Sequence, residues 1–226
     1  MSVEYAIISI GTLSKNPLWG EGTAVRTAHA TTTLVADGKK LILVDPSLPA
    51  TALAARFFER TGKPLSDVTD VFCTTLRPVH RRSLEALPHA AWWANGPELE
   101  AYRQHLEKLG ESSRRLDSGD AAIVEADLKL LRHFKAAPER FSQQVHLYPL
   151  IGPSVGSAGL LLATAAATIV IAGDAALTAE HVLRGRVWEG CADAEAAMDS
   201  LKDLLELADV IVPGHDNIML SPRQGF

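Results

Sequence analysis

Val71-Phe-Cys-Thr-Thr-Leu-Arg-Pro-Val-His80 decides how this chain is read. Its first three residues close an apolar run that starts at Val68, and a short run of apolar side chains bounded by polar residues is a buried strand. The strand breaks into a loop carrying Thr75 and Arg77 and ending in His80. Upstream, the apolar run Leu41 to Val44 stops in the same manner, at Asp45. Two strand ends separated by a helix therefore deliver a carboxylate and an imidazole, both groups that can ligate a metal.

The pattern extends in both directions. Tyr5 to Ile10 is a β-branched run and predicts a strand. Thr31 to Ala36 and Leu41 to Val44 flank Asp37-Gly38, a hairpin signal. Ala50 to Arg60 is helical, with Leu53 and Phe57, then Ala54 and Phe58, four apart on one face, and Gly62 and Pro64 stop it. Ser83 to Leu87 makes a short helical turn and Ala90 to Ala94 a strand. Glu98 to Leu109 is an amphipathic helix with Leu99, Tyr102, Leu106 and Leu109 on one stripe, closed by Gly110. Ala121 to Phe134 reads as two short strands around Glu125-Ala126-Asp127. Val145 to Leu150, Leu160 to Ala163 and Thr168 to Ala172 are strands, the first ending at Gly152-Pro153 and the last at Gly173-Asp174. Ala194 to Leu207 is a helix, and Asp209 to Val212 is a last strand before Pro213-Gly214-His215-Asp216. Strands in two clusters, each followed by helix and many joined by short turns, predict an α+β fold. Two mixed sheets flanked by helices then make a four-layer αββα sandwich, a single domain over 1–226.

Composition sets the outer limits. Apolar content of 47% and charged content of 22% are those of a soluble globular protein with a substantial core. A net charge of -5 argues against nucleic acid as a partner, and Arg81-Arg82 and Arg114-Arg115 are too sparse for a basic stripe. Cys73 and Cys191 make no disulfide framework and no paired metal-ligand spacing, so both read as reduced thiols. No basic region precedes the first apolar stretch, so no signal peptide is expected. The tract Ala158 to Ala172 is broken by Thr164 and Thr168 and falls short of a bilayer span. The expectation is a cytoplasmic protein with no membrane partner, with homo-oligomerisation left open.

The order of the loop motifs is more specific than any one of them. Leu43-Val44-Asp45-Pro46-Ser47 resembles the V-D-T-G strand end of the metallo-β-lactamase superfamily. Asp67 to Thr74 is similar to the approach to that family's T-H-x-H-x-D-H loop. Gly152-Pro-Ser-Val-Gly-Ser157 resembles its G-H-T-P-G-S turn, Ile171-Ala-Gly-Asp174 its G-D element, and Val212-Pro-Gly-His215 its final P-G-H. The resemblance implies the family's fold over nearly the whole chain. It also implies which positions would have held metal. Thr75, Arg77 and Pro153 stand where the family has the three histidines of one site, and none offers a transition-metal donor. Val79, His80, His215 and Asp174 stand at the second site, so two imidazoles and one carboxylate remain there.

Two readings follow from this donor set. In the first, the dinuclear hydrolase centre is lost and the chain is a regulatory or binding pseudoenzyme. It holds no cofactor and takes a small-molecule ligand in the old cleft through Arg77, Thr75 and Ser154. Arg77 carries this reading, because a guanidinium beside Asp174 compensates a buried carboxylate without a metal. In the alternative, His80, Asp174 and His215 hold one zinc or iron ion, and the protein hydrolyses a small ester, thioester or lactone. Candidate catalytic residues are Asp174, Arg77 and Asp45, the last as support for a ligand. A third role, as an inactive subunit beside an active relative, stays open. The Gly-rich turn around Ser154 and Ser157 has N–H groups suited to an anion. His29, His89, His105, His133, His146 and His181 read as solvated, half-buried or strand-bonded.

Overall fold

Alternation of side chains across the strands builds this architecture. The computed structural model describes residues 3–116 and 121–222, and the side chains of residues 113–116, Arg114 and Arg115 among them, lie outside that description. A six-stranded sheet runs β1 (Glu4–Ser9), β2 (Thr32–Asp37), β3 (Lys40–Val44), β4 (Asp70–Phe72), β5 (Ala91–Ala94), β6 (Phe134–Ala136). A five-stranded sheet runs β11 (Met219–Leu220), β10 (Val210–Pro213), β9 (Thr168–Gly173), β8 (Ala158–Ala163), β7 (Val145–Pro149). The first three strands pair antiparallel, closed by the hairpin at Gly38, and β3 to β6 pair parallel. In the second sheet only β9 and β10 are parallel.

Each strand splits its apolar residues between two cores. Ile42 and Val44 of β3 and Phe72 of β4 face Leu160, Leu162, Ile169 and Ile171 of the other sheet. Leu43 and Val71, one residue out of phase, face the helices α1 (Ala50–Thr61), α2 (Gly96–Leu116) and α3 (Ala121–Leu131) through Leu53, Phe57, Leu106 and Val124. On the far side, Val170 and Ala172 of β9 face α4 (Ala179–Leu183) and α5 (Ala194–Leu207) through Val182, Leu201 and Leu204. The period of two in the strands and of 3.6 in the helices thus yields the expected four layers, αββα.

Three local expectations need correction. Ala121 to Leu131 is helix α3 and not a pair of strands. Val124, Leu128 and Leu131 are spaced four and three apart and pack on the first sheet, so the helical period governs. Asp127, read as part of a turn, instead accepts from Arg81 Nη2 at 2.7 Å and from Tyr102 Oη at 2.6 Å. Helix α2 starts at Gly96 and runs past Gly110 to Leu116, because a helical glycine costs only about 1 kcal/mol and need not end a helix. On α1, Leu53 and Phe57 are fully buried, whereas Phe58 is 62% exposed, so only one of the two spaced pairs faces the core.

The parallel pairs place the chemistry. β3 and β4 end together, with Val44 beside Phe72, and β9 and β10 end together, with Pro213 beside Gly173. Ligand sites of such sheets lie beyond the carboxyl ends of the strands. Here both sheets present those ends at one edge. Two backbone hydrogen bonds stitch the edge across the sandwich, from Thr31 N to Gly214 O at 2.7 Å and from Ala158 N to Thr74 O at 3.1 Å.

The contrast on α1 is directly measurable. Phe57→Ala should cost about 3–5 kcal/mol in urea unfolding, and Phe58→Ala should stay within about 0.5 kcal/mol of the parent.

Candidate functional site

At the end of β3, Asp45 adopts a left-handed backbone, φ 49°, which Asp tolerates better than bulkier residues. Its carboxylate turns back on the next strand end. One oxygen accepts from Thr74 N at 2.9 Å, and the other accepts from Thr74 Oγ1 at 2.7 Å and from His80 Nδ1 at 2.9 Å. His80, in a single helical turn at Pro78–His80, is completely buried. The loop below it is fixed by Arg81, whose Nε donates to Leu76 O at 2.7 Å.

His215 follows β10, and its Nδ1 lies 3.2 Å from Thr12 O and 3.0 Å from His29 O. Carbonyls only accept, so Nδ1 carries the proton and Nε2 keeps its lone pair. Asp174 follows β9 through Gly173, where φ is +54° and a Cβ would lie 2.5 Å from Thr74 Oγ1. Only glycine meets both demands. The two Nε2 atoms each stand 3.2 Å from Asp174 Oδ1, and the imidazoles meet edge to face at 5.5 Å. One donor atom from each of His80, Asp174 and His215 lies within 4.8 Å of the others.

The electrostatics of this cluster are unbalanced. His80 Nε2 and Asp174 Oδ1 are buried and have no hydrogen-bond partner of acceptable geometry. Burial alone would hold His80 neutral, but Asp174 and Asp45 outweigh it and raise its pKa to about 10. Burial likewise opposes ionisation of Asp174, and the charge of His80 prevails, holding its carboxyl well below the usual range. The cluster therefore calls for a positive charge at its centre, as a proton or as a metal cation. The donor set of two imidazole nitrogens with Nδ1 engaged elsewhere and one carboxylate oxygen fits a zinc or iron ion.

Arg77 takes the other oxygen of Asp174. Its Nη1 donates to Oδ2 at 2.6 Å, its Nη2 donates to Pro153 O, and the guanidinium lies 4.0 Å from the Trp188 ring centre. A cavity of about 320 Å³ opens over this group, with Arg77, Asp174 and His215 in its wall beside Leu13, Leu18, Leu177, His181 and Trp188.

Thr75 and Ser154 point inward. Glu98, in the first turn of α2 and 4% exposed, accepts from Thr75 Oγ1 at 2.8 Å and Leu76 N at 2.9 Å with one oxygen. With the other it accepts from Ser154 Oγ at 2.7 Å and Gly156 N at 3.2 Å. The anion held by the Gly-rich turn is thus the protein's own carboxylate. Ser157 Oγ is bound to Leu150 O. Glu98 went unnoticed in the sequence because it reads as an ordinary acidic residue at a helix start. His181, expected to be solvated or half-buried, is 5% exposed on the cavity wall. His146 lies against Gln143 O, away from the cavity.

A model of the metallo-beta-lactamase superfamily matches residues 26–215. The chain belongs to that superfamily. A Thermotoga maritima protein described provisionally as a metallo-beta-lactamase superposes with a TM-score of 0.71 at 16% identity, over 97% of this chain and all of that one. AidC, a dizinc quorum-quenching lactonase in complex with a homoserine product, gives 0.64 at 15% identity, over 91% of this chain and 80% of that one. An N-acyl homoserine lactone hydrolase with N-hexanoyl-L-homoserine at its catalytic metal centre gives 0.64 at 20% identity, over 96% and 94%. No curated protein matches the chain in sequence.

The expectation of a cleft without a cofactor is overturned. It rested on Arg77 satisfying Asp174, but Arg77 reaches only Oδ2, and Oδ1 is left with the two imidazole nitrogens in a buried cluster able to hold a metal. The loss of the metal site that the pseudoenzyme reading required therefore lacks support. Among the described residues, no helix is long and apolar enough to cross a membrane.

Glu98 offers a clean test of how the loops are held. Glu98→Ala leaves four donors from two loops without their acceptor. The loss should reach about 3 kcal/mol or more in chemical denaturation, since each buried unsatisfied group costs about 1–3 kcal/mol.

Proposed function

We propose that this protein is a mononuclear metal-dependent hydrolase of a small ester, thioester or lactone, with His80, Asp174 and His215 as the metal ligands. The observation that carries the reading is the pair of buried, unpartnered atoms, His80 Nε2 and Asp174 Oδ1, facing His215 Nε2. Three candidate protein ligands, with Asp174 and His215 in the wall of a cavity, fit a catalytic site better than a closed structural one. A divalent cation held there would supply Lewis acidity toward an acyl oxygen and acidify water.

The chain's own groups do the rest. Asp45 orients His80 through Nδ1, and the carbonyls of Thr12 and His29 orient His215 in the same sense. Arg77 is a fixed cation whose side chain is 25% exposed at the cavity, where it can pair with a substrate or product oxygen. Its place on Asp174 Oδ2 keeps that oxygen from a second ion, which supports one metal per chain. Leu13, Leu18, Leu177 and Trp188 provide an apolar wall for the acyl or alcohol portion. The lactone-hydrolysing neighbours support an acyl substrate of modest size.

The test is metal content together with turnover. Protein produced with zinc, manganese and iron available should carry about one metal per chain by elemental analysis, and His80→Ala or His215→Ala should abolish it. Asp45→Asn should weaken metal affinity about 10–100-fold. Turnover of an ester, thioester and lactone panel should be chelator-sensitive, and Asp174→Asn should remove it. Metal-free protein with no turnover on the panel would return the cleft to a binding role.

Arg77 separates metal binding from substrate handling. Arg77→Ala should retain one metal per chain and lower kcat/KM by roughly a hundredfold, read by steady-state kinetics on the best ester of the panel.

A further inference from the structure

The metal cluster and Arg77 leave several polar groups on the cavity wall without a task, and of these, beside Ser14, Lys15, Arg186 and Glu189, only the imidazole of His181 belongs to a buried residue. The chain from Asp174 to His181 is short and tied down. Asp174–Ala176 form one helical turn, Thr178 caps α4, and His181 is its third residue. The same segment is locked to the loop carrying His215, with Gly214 N donating to Ala176 O at 3.0 Å and His215 N to Leu177 O at 2.9 Å. Ala179 N donates to Asp216 Oδ2 at 3.1 Å. His181 is therefore held in a fixed relation to two of the three proposed ligands.

Its tautomer follows from counting protons. Thr178 Oγ1, in a residue 3% exposed, accepts from His181 N at 3.3 Å and lies 2.7 Å from His181 Nδ1. Among the described residues, no other acceptor is within reach of the Thr178 hydroxyl proton. Donation from Oγ1 to Nδ1 satisfies both groups, whereas the opposite tautomer would leave the hydroxyl proton buried and unpaired, which costs about 1–3 kcal/mol. Nε2 then keeps its hydrogen. Burial lowers the pKa of His181, so the ring stays neutral. No partner for Nε2 is present among the described residues, and the ring borders the cavity.

We propose that His181, set in this tautomer by Thr178, donates its Nε2–H to the acyl oxygen of the substrate and afterwards to the carboxylate of the product. This rests on the hydrolase reading and assigns that reaction a third electropositive contact beside the metal position and Arg77. The step makes or breaks no bond of the imidazole. Water adds to the acyl carbon, the bond to the leaving oxygen or sulfur breaks, and the leaving group takes the proton that water releases. His181 stabilises the negative charge that grows on the acyl oxygen, as a neutral imidazole donor can. Thr178 acts through His181 and is a positioning residue.

Three measurements test this. In kinetics on the best ester, His181→Phe should lower kcat by roughly a hundredfold while metal per chain is unchanged. Thr178→Val should lower kcat in the same direction with KM within about twofold, and Thr178→Ser should restore it. In nitrogen-edited NMR of the full chain with isotope-labelled histidine, His181 should be the Nε2–H tautomer at neutral pH and should lose that preference in Thr178→Val. Acetate and butyrate, as product carboxylates, should shift its Nε2 signal. An Nδ1–H tautomer in the parent protein, undiminished kcat in His181→Phe, or carboxylates that leave Nε2 unmoved would each overturn the proposal. The NMR arm needs neither metal nor turnover. A chain that neither binds metal nor turns over esters but still shows the carboxylate shift would end the hydrolase reading and keep the donor assignment.

Discussion

A carboxylate with its two oxygens in different worlds organises this molecule. Asp174 is buried, and an unpaired buried charge costs several kcal/mol. One oxygen is paired with the guanidinium of Arg77, which is always charged. The other faces two imidazole nitrogens, each already using its Nδ1 elsewhere. Arginine cannot reach both oxygens while it is also bound to Pro153 O and stacked on Trp188. The second oxygen must therefore be answered by a proton or by a metal. The raised pKa of His80 is the protonic form of the same demand.

The fold exists around that constraint in a literal sense. Two parallel strand pairs from different sheets end at one edge, and their following loops hold Asp45, Thr74, Asp174 and His215. Close approach of the loops is possible because Gly173 has no Cβ to strike Thr74. Glu98 does for the outer loops what Asp45 does for the inner ones. Each is a buried carboxylate that gathers donors from another segment, and together they fix the loop carrying Arg77 and His80 from both sides.

Much of this was legible in the sequence, for definable reasons. The strands declared themselves because apolar runs as short as Leu41 to Val44 are bounded by polar or turn residues, and the loop ends that deliver Asp45, His80, Asp174 and His215 are punctuated by glycine, proline or a break in apolarity. Helix α3 was misread because Val124, Leu128 and Leu131 can be parsed as two apolar patches when the partner surface is unknown. Glu98 and His181 were invisible for a different reason. A carboxylate in a helix's first turn and a histidine within a helix are ordinary locally, and only the tertiary contacts of Glu98 with Ser154 and Thr75 and the place of His181 in the cavity wall reveal them. The inference from Arg77 failed more instructively. Its partner was read correctly, but charge pairing was counted per residue when burial makes it count per oxygen atom.

That per-atom view also explains how a hydrolase with one metal would differ from one with two. Under the proposed function, Asp174 would offer one oxygen to an exchangeable ion while the other is held by a covalently tethered guanidinium. The guanidinium offers directed N–H donors and permanent charge, but it cannot acidify water, since it has no open coordination position. An ion held by His80, Asp174 and His215 would supply the acidified water, and charge stabilisation on the acyl oxygen would fall to Arg77 and the cavity wall. A neutral donor such as His181 is well suited to that wall. A cation placed against Asp174 would compete with an ion for the same carboxylate, whereas an N–H dipole strengthens binding of the acyl oxygen without weakening the ligand set.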